Sequence, residues 1–240
     1  MRTLVIIPTY NEAEALPVQL AAVRAAVPHV DILVADDNSP DGTGEWADGV
    51  AARDAQVHVL HRPGKAGLGA AYLQGFAWGI ERGYEVIVEM DADGSHRAVD
   101  LPLLLAAVGD ADLVIGSRWI RGGSVVNWPG RRKFLSVNAN RYVRVAMGLK
   151  VHDATAGFRA YHRDNLSRID LDRVRADGYG FQVEMTYLTE RNHGRIVEVP
   201  ITFRDRSLGR SKMSSRIVVE AFLLVTWWAF RDRVLRRGRA

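Results

Sequence analysis

The first half of the chain alternates short apolar runs with longer segments in which apolar residues recur at helical spacing. The apolar runs predict strands at residues 4–7, 32–35, 57–60, 86–90 and 113–115. The segments between them predict helices at about residues 14–27, 43–53, 68–82 and 101–108. Strands that alternate with helices of this length are typical of βαβ units, so we expect an α/β fold with a mostly parallel central sheet flanked by helices.

The second half has a less regular pattern. Residues 118–132 are rich in Gly and Pro and predict a long loop, and a helix is expected from 132 to 147. Two short strands, near 158–161 and at 196–203, are expected to flank a helix around 181–191. No composition shift marks a linker, so we expect residues 1–212 to form one domain, with residues 213–240 as an apolar helix and basic tail of the same compact unit.

The apolar segment near the C-terminus covers residues 217–230 and is interrupted by Glu220 and Thr226. A helix that spans a bilayer needs about 20 apolar residues, so this segment is too short to cross a membrane. The N-terminal apolar run is also short, and no cleavage site follows it, so we expect no signal peptide.

Composition excludes several classes of function. The 240 residues include no Cys, which rules out disulfides, thiolate catalysis and Cys-ligated zinc. The net charge of +4 comes entirely from the last ten residues, since residues 1–230 hold 27 basic and 27 acidic side chains. A neutral body argues against a nucleic-acid partner.

Polar and charged residues follow each of the five strands predicted in the first half. These segments are residues 8–12, 36–42, 62–65, 91–95 and 116–118. Because the carboxyl ends of parallel strands share one edge of an open sheet, and ligands bind at that edge, we expect a binding site there.

Asp91 and Asp93 are two carboxylates separated by one residue, directly after a predicted strand. Such a pair is well placed to share Mg²⁺ or Mn²⁺, which prefer oxygen ligands and are often completed by substrate phosphates. The alternative is a turn with two solvated Asp side chains. The position at a strand end, beside other acidic loops, favours the metal site.

The polar segments after the first three predicted strands contain residues that suit contacts with a nucleotide. Asp36 and Asp37 could hydrogen-bond a ribose or base, or could only organise the turn that follows them. Tyr10 and Glu12 could stack on and hydrogen-bond a nucleoside, although Glu12 could equally be a favourable charge in a first helical turn. Lys65 lies near a helix start and could approach a diphosphate.

Basic residues form a second group, which flanks the flexible segments. They are Arg118, Arg131, Arg132, Arg204, Arg206 and Lys212. Arg side chains bind phosphate oxygens in bidentate fashion, so basic residues opposite an acidic metal site suit a reaction between two phosphates. Solvated surface charge is the alternative for each of them. Trp119 and Trp128 are expected to serve packing.

At this point the sequence resembles a known family. Residues 8–12, 36–43, 91–93 and 116–118 resemble glycosyltransferase family 2 and its GT-A fold. Residues 65–72, 132–136 with Asn140, 153–159, 178–184, 198–201 and 205–213 narrow the resemblance to polyprenol (dolichol) phosphate mannosyltransferases. The resemblance covers about residues 3–228. Gly94 departs from the bulky residue often found in Asp-Ala-Asp-x-Ser-His, and we expect little effect of that change.

The resemblance implies a role for each matching residue. The guanosine of GDP-mannose would be held by Pro8, Tyr10, Glu12 and Asp37, with Lys65 close to the nucleotide. Asp91 and Asp93 would meet the sugar diphosphate and Mg²⁺ or Mn²⁺, with Asp93 and Arg118 as the catalytic residues. The phosphates of the lipid and the donor would be bound by Arg118, Arg132, Ser136, Arg206 and Lys212.

The implied reaction transfers mannose from GDP-mannose to a polyprenyl phosphate with inversion, giving a lipid-linked mannose donor. A glucosyltransferase that uses UDP-glucose is the nearest alternative, and a non-catalytic nucleotide-sugar-binding subunit is an alternative of another class. Residues 217–230, followed by five Arg, indicate an interfacial membrane anchor with Trp227 and Trp228 at headgroup level. An ordinary core helix is the alternative. We therefore expect a peripheral enzyme on the cytoplasmic face of the membrane, with an integral-membrane partner subunit as a further possibility.

Overall fold

The structure is a computed structural model that describes residues 1–174, 176–205 and 225–228. Within these residues nine strands run in chain order as β1 Thr3–Thr9, β2 Asp31–Asp36, β3 Val57–His61, β4 Val86–Glu89, β5 Leu113–Ser117, β6 Ser124–Val126, β7 Arg159–His162, β8 Ile196–Pro200 and β9 Thr202–Arg204. The α-helices are α1 Ala15–Ala26, α2 Thr43–Ala51, α3 Leu68–Glu81, α4 Leu101–Val108, α5 Gly130–Met147, α6 Arg163–Arg168 and α7 Gly178–Arg191.

The main sheet has seven strands in the order β3-β2-β1-β4-β7-β5-β8. β1 pairs in parallel with both β2 and β4, and β5 pairs in parallel with β8. β7 is the exception, because it runs antiparallel between β4 and β5. The mostly parallel sheet predicted from the sequence is confirmed, and its parallel strands direct their carboxyl ends to one edge.

Two apolar clusters cover the two faces of the sheet. Along β1, Leu4 and Ile6 belong to one cluster and Val5 and Ile7 to the other, as the period of two along a strand requires. The first cluster also contains residues of α3 and α7, and the second contains residues of α1 and α4. A sheet covered on both faces explains why β1 and β2 read as almost continuous apolar runs.

The long loop predicted at residues 118–132 is not wholly irregular. Its middle forms β6, which pairs in parallel with β9 in a separate two-stranded sheet. The strand predicted at residues 196–203 is correspondingly divided into β8 and β9. Ile201 marks the division, because its N–H donates to the Ser117 carbonyl and its own carbonyl accepts from the Ser124 N–H. One residue thus joins the main sheet to the small sheet.

The predicted C-terminal helix lies mostly outside the described residues. Of that segment, Val225 to Trp228 are helical. Val225 and Trp228 are buried in the first core cluster, whereas Trp227 is 59% exposed. The headgroup-level position expected for Trp228 is therefore wrong, because its side chain packs in the core. The Tyr142 hydroxyl on α5 lies 2.7 Å from the Thr226 hydroxyl. These contacts join the segment to the body, in keeping with the expectation of one compact unit, which stays a prediction. In the part of the chain that the structure describes, no helix has the length and apolar character needed to cross a membrane.

Candidate active site

A pocket of about 370 Å³ opens at the carboxyl edge of the main sheet. The structure brings nine of the expected site residues together in its wall: Pro8, Tyr10, Glu12, Asp37, Lys65, Asp91, Asp93, Arg118 and Arg132. Ser136 lies half-buried on α5 and is not among the described residues that line the pocket. Arg206 and Lys212 lie outside the described residues, and the neighbouring Asp205 lines the pocket.

The acidic loop after β4 is held by its own backbone hydrogen bonds. The Ser95 N–H donates to Asp93 Oδ1 at 3.0 Å, and the Asp91 N–H donates to His96 Nδ1 at 3.0 Å. Gly94 between them has a φ of +74°, which a residue with a side chain rarely adopts, so the glycine suits this tight turn. The Tyr72 hydroxyl donates to Asp91 Oδ1 at 3.5 Å. Both carboxylates are therefore presented to the pocket from a fixed turn.

The donor set of this loop fits a hard divalent cation. In the described part of the chain, no group of three or more His, Cys, Asp or Glu residues could hold a metal ion, and Asp91 and Asp93 are the carboxylate pair at the expected place. Mg²⁺ and Mn²⁺ are commonly held by one or two carboxylates, with substrate phosphates and water as further ligands. The Ser95 hydroxyl is buried in the same wall and has no hydrogen-bond partner among the described residues. The residues present thus match a cation that binds together with a diphosphate.

Asp36 and Asp37 have different roles. Asp36 organises the turn after β2, because its carboxylate accepts from the Thr9 hydroxyl at 2.9 Å and from the Ser39 N–H at 3.0 Å. Asp37 lines the pocket and forms a buried ion pair with Arg62. Burial raises the pKa of Asp37, and the charge of Arg62 opposes that effect. Arg62 is itself 3% exposed and donates from Nε to Gln74 Oε1 at 3.0 Å.

Tyr10, Glu12 and Lys65 line the pocket together with Asp37. The Lys65 ammonium lies 4.7 Å from the centroid of the Tyr10 ring, a cation–π contact that joins the first and third loops. Glu12 precedes α1, which begins at Ala15 and has no acidic residue in its first turn. The Glu12 carbonyl accepts from the N–H groups of Ala15 and Leu16, so Glu12 lies at the N-terminus of α1 as well as in the pocket wall, and its position fits both interpretations.

Arg118 also lines the pocket and is almost completely buried. Asp153 binds it in bidentate fashion, with Nε and Nη2 each 2.7 Å from a carboxylate oxygen, and also accepts from the Arg118 backbone N–H at 2.9 Å. Thr155 accepts from Nη2 at 3.0 Å and from Asn140 Nδ2 at 2.9 Å. Burial acts to lower the pKa of Arg118, but the Asp153 carboxylate outweighs it and holds the pKa above its ordinary value.

Arg132 of α5 lines the pocket near Arg118. Its Nη1 lies 2.8 Å from an oxygen of Asp205, and its guanidinium lies 4.0 Å from the centroid of the Trp128 ring. The Arg118 guanidinium is 5.6 Å from that ring. Trp128 therefore contacts both cations, a role beyond the packing expected of it. Such contacts bring two like charges close together with an electron-rich ring between them.

A buried polar network lies behind the acidic loop. Glu89 at the end of β4 is fully buried, and burial raises its pKa to about 7. Gln182 of α7 donates from Nε2 to Glu89 Oε2 at 2.6 Å. Arg159 of β7 is also fully buried and donates to the Gln182 carbonyl at 2.9 Å. Gln182 and Gly157 reach the pocket wall. Sequence reasoning assigned no role to these residues, nor to Arg62 or Asp153.

The family model for glycosyl transferase family 2 matches residues 4–170. Two solved glycosyltransferase structures resemble the fold, each at 20% sequence identity. Glucosyl-3-phosphoglycerate synthase of Mycobacterium tuberculosis, solved with Mn²⁺, UDP-glucose and phosphoglyceric acid, has a TM-score of 0.67 over 93% of this chain and 79% of that one. A mannosyltransferase of Pyrobaculum calidifontis, solved with GDP-mannose and Mn²⁺, has a TM-score of 0.65 over 96% of this chain and 64% of that one. The fold is GT-A, and the protein is a glycosyltransferase.

Curated relatives make the assignment more specific. Undecaprenyl-phosphate mannosyltransferase of Micrococcus luteus is 60% identical over 97% of this chain and 96% of its own length. Polyprenol monophosphomannose synthase of Mycolicibacterium smegmatis is 56% identical over 98% of this chain and 89% of its own length. The chain belongs to glycosyl transferase family 2, and the resemblance found in its motifs is confirmed.

Proposed function

We propose that this enzyme transfers mannose from GDP-mannose to a polyprenyl monophosphate, giving polyprenyl-phospho-β-mannose with inversion at the anomeric carbon. The observation that carries the proposal is that Asp91 and Asp93 line the same pocket as Arg118 and Arg132. The names of the two curated relatives support the substrate classes. The product would serve as a lipid-linked mannose donor for glycosylation.

The donor would occupy this pocket. Tyr10, Glu12 and Asp37 would bind the nucleoside, and Lys65 would lie near the diphosphate. A divalent cation held by Asp91 and Asp93 would neutralise charge on the departing diphosphate. The Pyrobaculum mannosyltransferase was solved with GDP-mannose and Mn²⁺, which is consistent with this donor and metal.

The acceptor would bring its own nucleophile. A phosphate monoester has a second pKa of about 6 and is largely dianionic at neutral pH, so its attack on the anomeric carbon needs no strong general base. The task of the protein is then to hold two anions close together. Arg118 is held in position by Asp153. Arg132 forms an ion pair with Asp205, and an acceptor phosphate would replace the Asp205 carboxylate on the Arg132 guanidinium.

A lipid acceptor requires the pocket to face a membrane surface, and α5 offers a suitable face. Phe134, Leu135 and Val137 are 68%, 65% and 41% exposed. In the sequence of α5 they directly follow three basic residues, Arg131, Arg132 and Lys133, of which Arg132 lines the pocket. Exposed apolar side chains flanked by basic residues are typical of interfacial helices. We propose peripheral attachment to the cytoplasmic face through this helix and the C-terminal segment.

Transfer of radiolabelled sugar to polyprenyl phosphate in the presence of Mn²⁺ tests the proposal. We expect product from GDP-mannose. If the enzyme prefers UDP-glucose, GDP-mannose is not its donor. Asp93→Ala should lower the rate by about 10²- to 10³-fold, because it removes charge stabilisation from the reacting centre. Asp110→Ala, an exposed carboxylate outside the acidic loop, is the control and should retain full activity. Equal rates for the two variants would remove Asp93 from the catalytic machinery.

A further inference from the structure

The turn between α5 and β7 provides the partners that orient Arg118. Asp153 accepts from the Arg118 backbone N–H, from Nε and from Nη2, and Thr155 accepts from Nη2 as well. These contacts occupy two of the three guanidinium nitrogens and fix the direction of the third, Nη1. The direction in which Arg118 meets a ligand therefore depends on where the backbone of residues 153–155 lies.

That backbone is held by side chains rather than by secondary structure. Residues 150–155, which we call the support segment, lie between α5 and β7 and form neither helix nor strand. Backbone N–H groups outside regular structure need other acceptors. Four N–H groups of the support segment find them on three other elements: Lys150 donates to Glu190 of α7 at 3.0 Å, His152 and Asp153 donate to Glu198 of β8 at 2.8 and 3.0 Å, and Thr155 donates to Asn140 of α5 at 3.2 Å.

Glu198 binds the same residue that binds Arg118. Its Oε1 accepts from the Asp153 N–H at 3.0 Å, and its Oε2 accepts from the His152 N–H at 2.8 Å and lies 2.9 Å from His152 Nδ1. The Glu198 side chain is 11% exposed, and Asp153 is fully buried. A carboxylate forms stronger hydrogen bonds with N–H groups than a neutral oxygen does. Glu198 therefore fixes the peptide that places the Asp153 carboxylate.

Glu198 and Arg118 belong to neighbouring strands of the main sheet. β5 pairs in parallel with β8, with Glu198 opposite Ile115, and Arg118 directly follows the end of β5 at Ser117. Asp153 bonds to both, through its N–H to Glu198 and through its carboxylate to Arg118. The register of the sheet thus sets the distance that Asp153 bridges, and the connection from Glu198 to the guanidinium runs through that one residue.

We infer that Glu198 is a positioning residue for the acceptor phosphate. It acts through Asp153 on Arg118, which lines the pocket, whereas Glu198 is not among the described residues of the pocket wall. The inference rests on the function proposed above, because it takes Arg118 as a group that binds the phosphate of the acceptor.

The test compares the use of the acceptor with the binding of the nucleotide. The kcat/KM for polyprenyl phosphate is measured on the full chain with Mn²⁺ and saturating radiolabelled GDP-mannose, and the dissociation constant of GDP with Mn²⁺ is measured by calorimetry. Glu198→Gln keeps the size of the side chain but places an NH₂ group against an N–H donor. We expect kcat/KM to fall about tenfold or more, since a small misplacement of a substrate-binding group is enough. The affinity for GDP should change by less than about twofold.

Glu190→Gln is the matched control. Glu190 makes the same kind of contact with the support segment, because its Oε1 accepts the Lys150 N–H at 3.0 Å, but it binds at Lys150 rather than at the residue that holds Arg118. The variant removes the same charge from the same segment. Its kcat/KM should stay within about twofold of the wild-type value even where its unfolding temperature falls.

A double-mutant cycle separates positioning from stability. Arg118→Lys keeps a positive charge but cannot form the bidentate contact with Asp153. In that background Glu198 has no guanidinium to orient, so the addition of Glu198→Gln should lower kcat/KM by less than about twofold further. A structural role alone would give the same fold-loss in both backgrounds.

Each outcome decides the matter. A folded Glu198→Gln protein with the wild-type kcat/KM overturns the inference, as does an equal fold-loss in both backgrounds or an equal loss in Glu190→Gln. If Glu198→Gln does not fold, Glu198→Asp, which keeps the charge but withdraws the carboxylate by one methylene, replaces it in the same cycle. Failure of the proposed function is distinct, because the wild-type protein itself would then transfer no mannose to polyprenyl phosphate. A wild-type protein that prefers UDP-glucose changes only the donor, and the cycle is then measured with UDP-glucose and UDP.

Discussion

Two charged residues of this pocket are held by buried partners. Arg118 is fixed by Asp153, and Asp37 by Arg62, with each pair almost fully removed from solvent. A buried ion pair need not stabilise a fold, because desolvation offsets the attraction. Its benefit here is orientation, since a guanidinium with two nitrogens bound to a carboxylate can present only its remaining edge to a ligand.

Removal of one partner should therefore be costly. Arg62→Met leaves Asp37 as an unpaired buried carboxylate, and we expect the free energy of unfolding to fall by about 3–5 kcal/mol. Arg24→Met is the matched control, because the Arg24–Asp54 pair is partly exposed, at 23% and 35% of the side chains, and should cost less than about 1 kcal/mol. Urea denaturation measures both. If the free energy of unfolding falls by the same amount in both variants, loss of Arg62 does not leave an unpaired charge buried at Asp37.

At the residue scale, the sequence predicted which loops contain the candidate site residues. It did not predict which side chains bind those residues. Asp91, Asp93 and Arg118 follow strands, so parallel topology alone brings them to one edge. The partners of the pocket residues are distant in sequence. Arg62 is 25 residues from Asp37, Asp153 is 35 residues from Arg118, and Glu89 is 93 residues from Gln182. No local pattern encodes a side-chain hydrogen bond across such separations.

At the scale of elements, periodicity predicted the strands and helices of the first half, because each buries an apolar face. It did not resolve β6 and β9, which have three residues each and are partly exposed. Strands this short contain too few positions for an alternation to be recognised. Periodicity also did not predict that β7 runs antiparallel to its neighbours, since the apolar pattern of a buried strand does not depend on the direction of the strand.

The exposed face of α5 makes a prediction of its own. We expect Phe134→Ser combined with Leu135→Ser to weaken binding to anionic vesicles by about tenfold or more, since two apolar side chains no longer enter the interface. Both positions are exposed, so the free energy of unfolding should change by less than about 0.5 kcal/mol. Co-sedimentation with vesicles provides the measurement.

Val18→Ser combined with Val99→Ser is the control for that measurement. These side chains are 65% and 63% exposed, on elements that cover the other face of the sheet. Vesicle binding should be unchanged in this variant. If the two double variants bind equally well, α5 does not contact the membrane.

At the scale of the whole molecule, the net charge of +4 belongs to the last ten residues rather than to the body. Within residues 1–230, the acidic side chains proposed to bind nucleotide and metal are balanced by the arginines proposed to bind phosphate. A basic segment next to an anionic leaflet contributes about 1 kcal/mol per charge to attachment, so the location of the charge suits a lipid-phosphate acceptor.

Trp227 and Trp228 test whether the C-terminal segment is part of the compact unit. Trp228 is 8% exposed within the core cluster that holds residues of α3 and α7, and Trp228→Ala should lower the free energy of unfolding by about 3–5 kcal/mol. Trp227→Ala, at a position 59% exposed, should change it by less than about 0.5 kcal/mol. Chemical denaturation of both variants measures the difference. If the two variants have the same free energy of unfolding, the C-terminal segment is not part of the compact unit.

The place of β7 in the sheet differs from its place in the chain. It lies between β4 and β5 but follows both in sequence, and β8 at the edge comes later still. A chain leaves the ribosome from its N-terminus. When β5 has emerged, the strands around Asp37 and Asp91 can already pair, whereas Asp153 and Thr155, which hold Arg118, are still inside the ribosome or its exit tunnel. Until β7 arrives, β4 and β5 of the nascent chain keep unpaired edges, the surfaces on which chaperones and aggregation compete.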